Sequence, residues 1–146
     1  AIKDELAWEL DQGSKVTKTD LDNAQIVHEN FEEWFHSFLN SHKFNAVALP
    51  SAQVWPFSIE MRYPEEIAGH KMVTYHQWMS ISIPVSLAGF PCVTIPAGYG
   101  RTNEERAEES EEVPGLPMGI QLFSKRGADS KLLLLAAHHH ESTTVN

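Results

Sequence analysis

The first third of the chain has the hydrophobic spacing of two amphipathic helices. Apolar residues at four-residue steps predict a short helix over residues 2–11, which stops at Gly13. A longer helix is predicted over about residues 20–42, with Thr19 as its N-terminal cap. Its apolar residues recur every three or four positions and form a stripe that we expect to face the core: Ala24, Val27, Phe31, Trp34 and Phe38.

Three short apolar runs predict strands. The run at residues 44–49 is closed by Pro50 and is typical of a strand that is buried on both faces of a sheet. Residues 92–95 lie between two prolines, and the alternation at residues 118–123 predicts that this second segment pairs with the first. Because strands alternate with helices, the predicted fold class is α/β.

The remaining segments are less regular. Residues 50–66 hold three prolines and several large apolar side chains, so we expect an irregular segment that lies against the body of the protein. A helix is predicted over about residues 70–82, ending near Pro84 because the residue before a proline resists helical geometry. A last helix begins at Asp129 and is apolar over most of its circumference, so we expect it to be buried.

Composition and charge narrow the class of protein. A hydrophobic fraction of 42% and a charged fraction of 21% are typical of globular proteins. The formal net charge is -9, and such a surface repels phosphate backbones unless basic residues cluster, so no nucleic-acid partner is expected. Residues 101–113 hold six glutamates, which predicts a flexible, solvated acidic insertion.

The sequence favours a cytoplasmic location. Cys92 is the single cysteine, so no internal disulfide can form, as is usual in reducing compartments. We find no apolar run of membrane-spanning length and no signal peptide at the start of the sequence. Because the chain begins with Ala1 and enters a helical pattern at once, we expect a fragment or a processed product of a longer protein.

Eight histidines raise the question of a metal site. His28, Glu32 and His36 recur at four-residue spacing along one helix, but they flank the apolar stripe and lack a nearby fourth ligand. No metal and no cofactor are therefore expected, and a histidine metal site is kept as an alternative that elemental analysis would exclude. The histidines at residues 138–140 are interpreted as the last turn of the final helix, where imidazolium favours the helix dipole.

No complete set of groups for nucleophilic catalysis occurs in the sequence, and no catalytic residue is assigned. A Gly-x-Ser-x-Gly elbow is missing, and so is a glycine-rich phosphate loop. Cys92 lies in a predicted buried strand, where a thiol stays protonated and inert. Four aromatic side chains fit the wall of an apolar ligand pocket as well as they fit core packing: Trp55, Tyr63, Tyr75 and Trp78.

Three segments form a recognisable set. They read NAVALP at residues 45–50, SLAGFPCVTIPAG at residues 86–98 and GLPMGIQL at residues 115–122. Their glycines have scaffold roles, since Gly89 lets a helix end close to the sheet and Gly119 allows close backbone approach. In order and spacing, these segments and the helices between them resemble the C-terminal region of the amidase signature family over nearly the whole chain.

The resemblance implies that residues 1–146 form the C-terminal portion of an amidase domain, a mixed sheet flanked by helices. Members of this family hydrolyse amide bonds with a serine, a second serine in a cis peptide and a lysine, and the regions that carry this triad are not in the sequence. The chain is therefore expected to contribute scaffold and pocket wall and to be inactive alone. Its expected partners are a small-molecule amide in the complete protein and the N-terminal portion of the same fold, without a membrane partner. A homo-oligomer is expected if the chain folds alone with exposed strand edges.

The resemblance also suggests substrate-binding residues, namely Trp55, Trp78 and Met79. By spacing, Met79 falls where amidotransferase-like members place an acid that reads the amino group of the substrate, and a thioether cannot make that contact. This disfavours glutamine and favours a less polar amide. Ser86 stands where the family usually has asparagine, so hydrogen bonding there must differ. The alternative is a free-standing, non-catalytic binding or assembly module of the same fold, which an upstream Gly/Ser-rich serine stretch in the gene would reject.

Overall fold

The computed structural model describes residues 2–100 and 115–143, so the expected acidic insertion at residues 101–113 lies outside the described residues. The described helices are α1 (Asp4–Gly13), α2 (Lys18–His42), α3 (Ile83–Ala88) and α4 (Asp129–Thr143), with a 3-10 helix at Tyr75–Met79. The described strands are β1 (Val47–Pro50), β2 (Glu66–Ile67), β3 (His70–Lys71), β4 (Cys92–Gly100) and β5 (Leu116–Phe123). Helices and strands alternate along the chain, which confirms the predicted α/β class.

The main sheet has three strands in the order β1-β5-β4, and β5 is antiparallel to both neighbours. Leu49 of β1 and Thr94 of β4 both lie opposite Gln121 in the centre of β5. The predicted pairing of the second and third apolar runs is thus confirmed. A register shift between Pro96 and Gly98 interrupts the β4/β5 ladder, and β2 and β3 form a separate small hairpin.

Helices cover both faces of the main sheet, and each face has its own apolar cluster. On one face, α2 and α3 pack against the sheet through Phe35, Leu39, Val85, Ala88, Phe90 and Phe123. On the other face, α4 packs on β4 and β5 through Ile95, Leu122, Leu132 and Ala136. The sheet is therefore the middle layer of three, which fits the architecture that the sequence implied.

The start of α2 differs from the prediction. The cap is Thr17, not Thr19, because Thr17 and Asp20 form a capping box. The Thr17 hydroxyl accepts a hydrogen bond from the Asp20 amide (3.2 Å), and the Asp20 carboxylate accepts one from the Thr17 amide (2.8 Å). Two main-chain N–H groups are satisfied reciprocally, which fixes where the helix begins.

The buried face of α2 is also displaced from the predicted stripe. Phe35 and Leu39 are buried, whereas Val27 and Trp34 are 67% and 57% exposed. Aromatic side chains occupy more than one face of this helix, so periodicity alone did not select the buried one. The choice is made by Phe90, which stacks on Phe35 with ring centroids 4.6 Å apart.

The helix predicted over residues 70–82 does not form as one element. The segment contains β3, the 3-10 helix at Tyr75–Met79 and the start of α3. The Gln77 side chain accepts hydrogen bonds from the amides of Val73 (2.5 Å) and Thr74 (3.4 Å), which favours a tight turn there. Pro84 does not end a helix but lies in the first turn of α3, where its missing N–H has no helical partner to lose.

Three burial predictions were wrong. In β1, half-buried Val47 and Leu49 alternate with exposed residues, so the strand is not buried on both faces. In α4, Leu132 is buried but Leu133 is 61% exposed, so the last helix is buried only along the line that touches the sheet. The irregular segment after β1 lies against the body at buried Pro64 but not throughout, since its apolar side chains include several that are exposed. Within the described residues, no helix combines the length and apolar character that a membrane crossing requires.

Candidate functional site

The segment that follows β1 lies beside the 3-10 helix, and Gln53 joins the two. Its side-chain amide donates to the carbonyl of Gln77 (2.8 Å) and accepts from the main-chain amide of Ile81 (3.2 Å). Since both ends of one planar amide are used, its orientation is fixed by its partners. The turn that carries Trp78 and Met79 is therefore held at the carboxyl end of β1.

A second amide, that of Gln121 in β5, holds the same turn from below. Gln121 is only 3% exposed. Its Nε2 donates to the carbonyl of Pro50 (3.0 Å) and to the carbonyl of Ile81 (3.2 Å). A buried polar side chain is tolerated in a sheet when its hydrogen-bonding groups are satisfied, as they are here. Gln121 thus connects the central strand to both the end of β1 and the turn.

Trp78 and Met79 are both half-buried on this turn, where the sequence had predicted pocket-wall residues. Trp78 makes edge-to-face contacts with Phe57 (centroids 5.6 Å apart) and Tyr75 (6.2 Å). Its indole Nε1 is buried and has no hydrogen-bond acceptor among the described residues. Because a buried unpaired donor costs about 1 to 3 kcal/mol, this N–H is a natural position for an acceptor from elsewhere.

Trp55 lies apart from this aromatic group. Its ring is 52% exposed and rests on Gly100 at the end of β4, where an added Cβ would be 2.1 Å from the ring atom Cζ3. Among the described residues, no ring contact joins Trp55 to Trp78. The structure therefore brings Trp78 and Met79 together and places Trp55 against a different strand.

A cleft of about 220 Å³ lies between α1 and residues 62–76, and the sequence analysis did not predict it. Ion pairs of Arg62 with Glu5 and of His76 with Glu9 join its two sides. Of the four aromatic residues singled out from the sequence, Tyr63 and Tyr75 line this cleft. A further signal was Trp8, which lies outside the apolar stripe of α1. The lining residues are Asp4, Glu5, Trp8, Arg62, Tyr63, Val73, Thr74, Tyr75 and His76.

The histidines of α2 have structural partners. The Nε2 of His28 lies 3.0 Å from the carbonyl of Leu87, and the carboxylate of Glu32 accepts from Arg126 at 3.1 Å. In the part of the chain that the structure describes, no group of three or more histidine, cysteine or acidic side chains could hold a metal ion. The histidines at residues 138–140 lie near the end of α4, which continues to residue 143.

Cys92 is exposed, which corrects the prediction of a buried thiol. It stands at the start of β4, where the sheet face that it occupies is open. Its thiol lies 3.8 Å from the side-chain oxygen of Gln121, a hydrogen-bond acceptor. Desolvation by its surroundings raises the pKa of the Cys92 thiol, so the sulfur remains protonated at neutral pH and is a poor nucleophile.

Comparison with known proteins agrees with the segments quoted from the sequence. The family model described as Amidase matches residues 1–133. The chain belongs to the amidase family. Two subunits A of glutamyl-tRNA(Gln) amidotransferase are among its relatives. The one from Dehalococcoides mccartyi is 29% identical over 110 residues, which are 75% of this chain and 18% of the relative. The one from Thermotoga maritima is 26% identical over 105 residues, or 71% of this chain and 18% of the relative.

A solved structure supports the amidase fold. A protein described as "Crystal structure of amidase" superposes with a TM-score of 0.70 at 19% sequence identity, and the match covers 92% of this chain and 27% of that one. At this identity the likeness concerns the fold alone. The amidase-family chain thus spans about one fifth of the length of these curated relatives and about a quarter of the solved amidase.

Proposed function

We propose that this chain is the C-terminal portion of an amidase-like hydrolase that acts on carbon-nitrogen amide bonds. In this proposal it contributes scaffold and one wall of the substrate pocket, while the serine, cis-serine and lysine groups are supplied by the N-terminal portion. The chain alone is then inactive. Membership of the amidase family supports the reaction class, and the share of each relative that it spans supports a divided contribution.

The observation that carries the proposal is the double amide support of the turn at Trp78 and Met79. Gln121 and Gln53 bind main-chain groups at both ends of this turn, with distances between 2.8 and 3.2 Å. A pocket wall must be rigid if it is to orient a substrate, and side chains held by buried hydrogen bonds satisfy this need. The buried indole N–H of Trp78, which lacks an acceptor, gives the wall one polar group.

The composition of the wall favours a less polar amide over glutamine. Met79 presents a polarizable thioether where amidotransferase-like members carry an acid, and Trp78 packs edge-to-face on Phe57. A thioether offers no charge to an ammonium group, so an α-amino substrate would lose a contact worth more than a neutral hydrogen bond. Trp55, on its own strand end, is the third proposed contact of the wall. A small-molecule amide and a cytoplasmic location complete the proposal.

The substrate proposal is tested in the complete protein with two amides, glutamine and phenylacetamide. We expect kcat/KM for phenylacetamide to exceed that for glutamine by at least about tenfold. Met79→Glu should lower kcat/KM for phenylacetamide by about tenfold or more, and Met79→Leu should retain it within about threefold, because the first change buries a charge and the second conserves volume.

Met61→Glu is the matched control, since Met61 is 47% exposed in the irregular segment. It should leave both substrates unaffected. Preference for glutamine in the unmodified protein, or equal effects of the changes at Met79 and Met61, would contradict a role of Met79 in the wall.

A further inference from the structure

The three described strands leave the sheet with two open edges, and the two edges differ in chemistry. β1 and β4 each pair on one side with β5 and on the other side with no described strand. An open edge presents unpaired N–H and C=O groups, and proteins protect their true outer edges with proline, charge or bulges. Which edge carries such protection therefore indicates where the sheet ends.

The outer edge of β4 is protected. Ser124 donates from its main chain to the carbonyl of Pro91 (3.2 Å), so by the alternation of a strand Val93 and Ile95 also face β5. Thr94 and Pro96 then face outward. Pro96 has no N–H to offer, and the register shift that follows it bends the strand. These are the features of an edge that does not accept another strand.

The outer edge of β1 lacks this protection over its length. Ser51 donates to the carbonyl of Gly119 (2.9 Å), so Leu49 and Val47 face β5, and the main-chain N–H and C=O of Ala48 point away from the sheet. The run from Ala46 to Leu49 has no charge and no proline, and the strand meets a proline only at its end. Such a continuous apolar run is typical of a strand with neighbours on both sides.

We infer that the amidase sheet continues past β1 and ends at β4, and that the occupant of the β1 edge is a strand from the remainder of the amidase fold. This inference rests on the proposed function. Its support is the length of relatives outside this chain, which amounts to most of the amidotransferase subunits and of the solved amidase. It is also supported by continuity, since the proposed pocket wall lies at the carboxyl end of the same strand, β1.

Amide hydrogen exchange of the natural gene product tests the inference at two residues, Ala48 and Thr94, after intact-mass measurement. A product longer than 146 residues with a serine and lysine region supports the proposed function independently of the sheet. In that product, the Ala48 amide should exchange at least about 100-fold more slowly than in the 146-residue chain, and the Thr94 amide should change by less than about threefold. Protection of Thr94 with no change at Ala48 would place the continuation on β4 and overturn the inference.

Matched proline variants give a second readout. Ala48→Pro removes the outward N–H of β1 and should lower the amidase activity of the complete protein by at least about tenfold, while Thr94→Pro should retain it within about threefold. Equal tolerance of both changes would contradict the inference. If the natural product proves to be this chain alone, the proposed function fails by mass. Concentration-dependent protection of Ala48 would then show that a second copy is the occupant, which overturns the assignment.

Discussion

The side-chain amide of Gln121 donates a hydrogen bond to the main-chain carbonyl of Ile81 across 3.2 Å, joining the central strand to the turn in front of the sheet. The two residues are 40 positions apart in sequence. The same Nε2 atom also reaches the carbonyl of Pro50 at the end of β1. This one buried side chain therefore sets the position of the turn relative to the strands.

Replacement of Gln121 by leucine should destabilise the chain. The change leaves the carbonyls of Pro50 and Ile81 without their donor, and we expect the free energy of unfolding to fall by about 2 to 4 kcal/mol. Urea denaturation measures this change. Gln25→Leu is the control, because the Gln25 amide bonds only to Glu29 on the exposed surface of α2, and its cost should stay within about 0.5 kcal/mol. Equal losses in the two variants would show that the Gln121 hydrogen bonds carry no special weight.

Gly100→Ala should displace the ring of Trp55. An added Cβ would lie 2.1 Å from Cζ3, closer than two carbon atoms can approach, and the exposed ring is free to move away. We expect a shift of the Trp55 indole cross-peak in a ¹H–¹⁵N spectrum, with little change at the buried indole of Trp78. Gly13→Ala is the control, since nothing lies within 4 Å of its added Cβ. An unmoved Trp55 signal in Gly100→Ala would show that the ring does not rest on residue 100 in solution.

The capping box of α2 should be visible in the titration of Asp20. Hydrogen bonds from the side chain and then the backbone of Thr17 lower the pKa of Asp20 below its ordinary value of 3.8. Because the folded-state pKa is depressed, the stabilisation is present above pH 3.8 and is lost as the pH falls through the folded-state pKa. Asp20 is fully exposed, so we expect a small effect on stability and a clear effect on the titration.

Two threonine variants distinguish the observed cap from the predicted one. Thr17→Val removes the side-chain hydrogen bond and should raise the pKa of Asp20 part of the way to 3.8, as followed by NMR of the Asp20 carboxyl carbon. Thr19→Val should leave it unchanged, because Thr19 is not the cap. The reverse order of effects would restore the cap that spacing had suggested.

The sequence predicted elements better than it predicted which sides of them are buried. The strands at β4 and β5 and the ends of α2 followed from local signals, namely prolines and hydrophobic period. Phe35 was missed as a core residue because the rings on either side of it in α2 fit the same period. Its burial depends on Phe90, 55 positions later, and periodicity holds no information on such a distant partner.

The candidate site was predictable in part and for a different reason. Trp78 and Met79 were selected by family resemblance, and the structure places them on one turn, but their use as a pocket wall remains a prediction. Gln53 and Gln121, which hold that turn, gave no signal in the sequence. A glutamine in a strand or a loop is usually solvated, and only the fold reveals that these two amides reach main-chain groups far away in sequence.

The most direct measurement of the central claim is amide hydrolysis by the purified 146-residue chain, assayed beside the natural gene product with the same amides. The account predicts turnover by a longer natural product that carries the serine and lysine region, and no turnover by the chain alone above the rate in buffer. Hydrolysis by the chain at a rate comparable to that of the natural product would contradict it, since the chemistry would then reside in these residues.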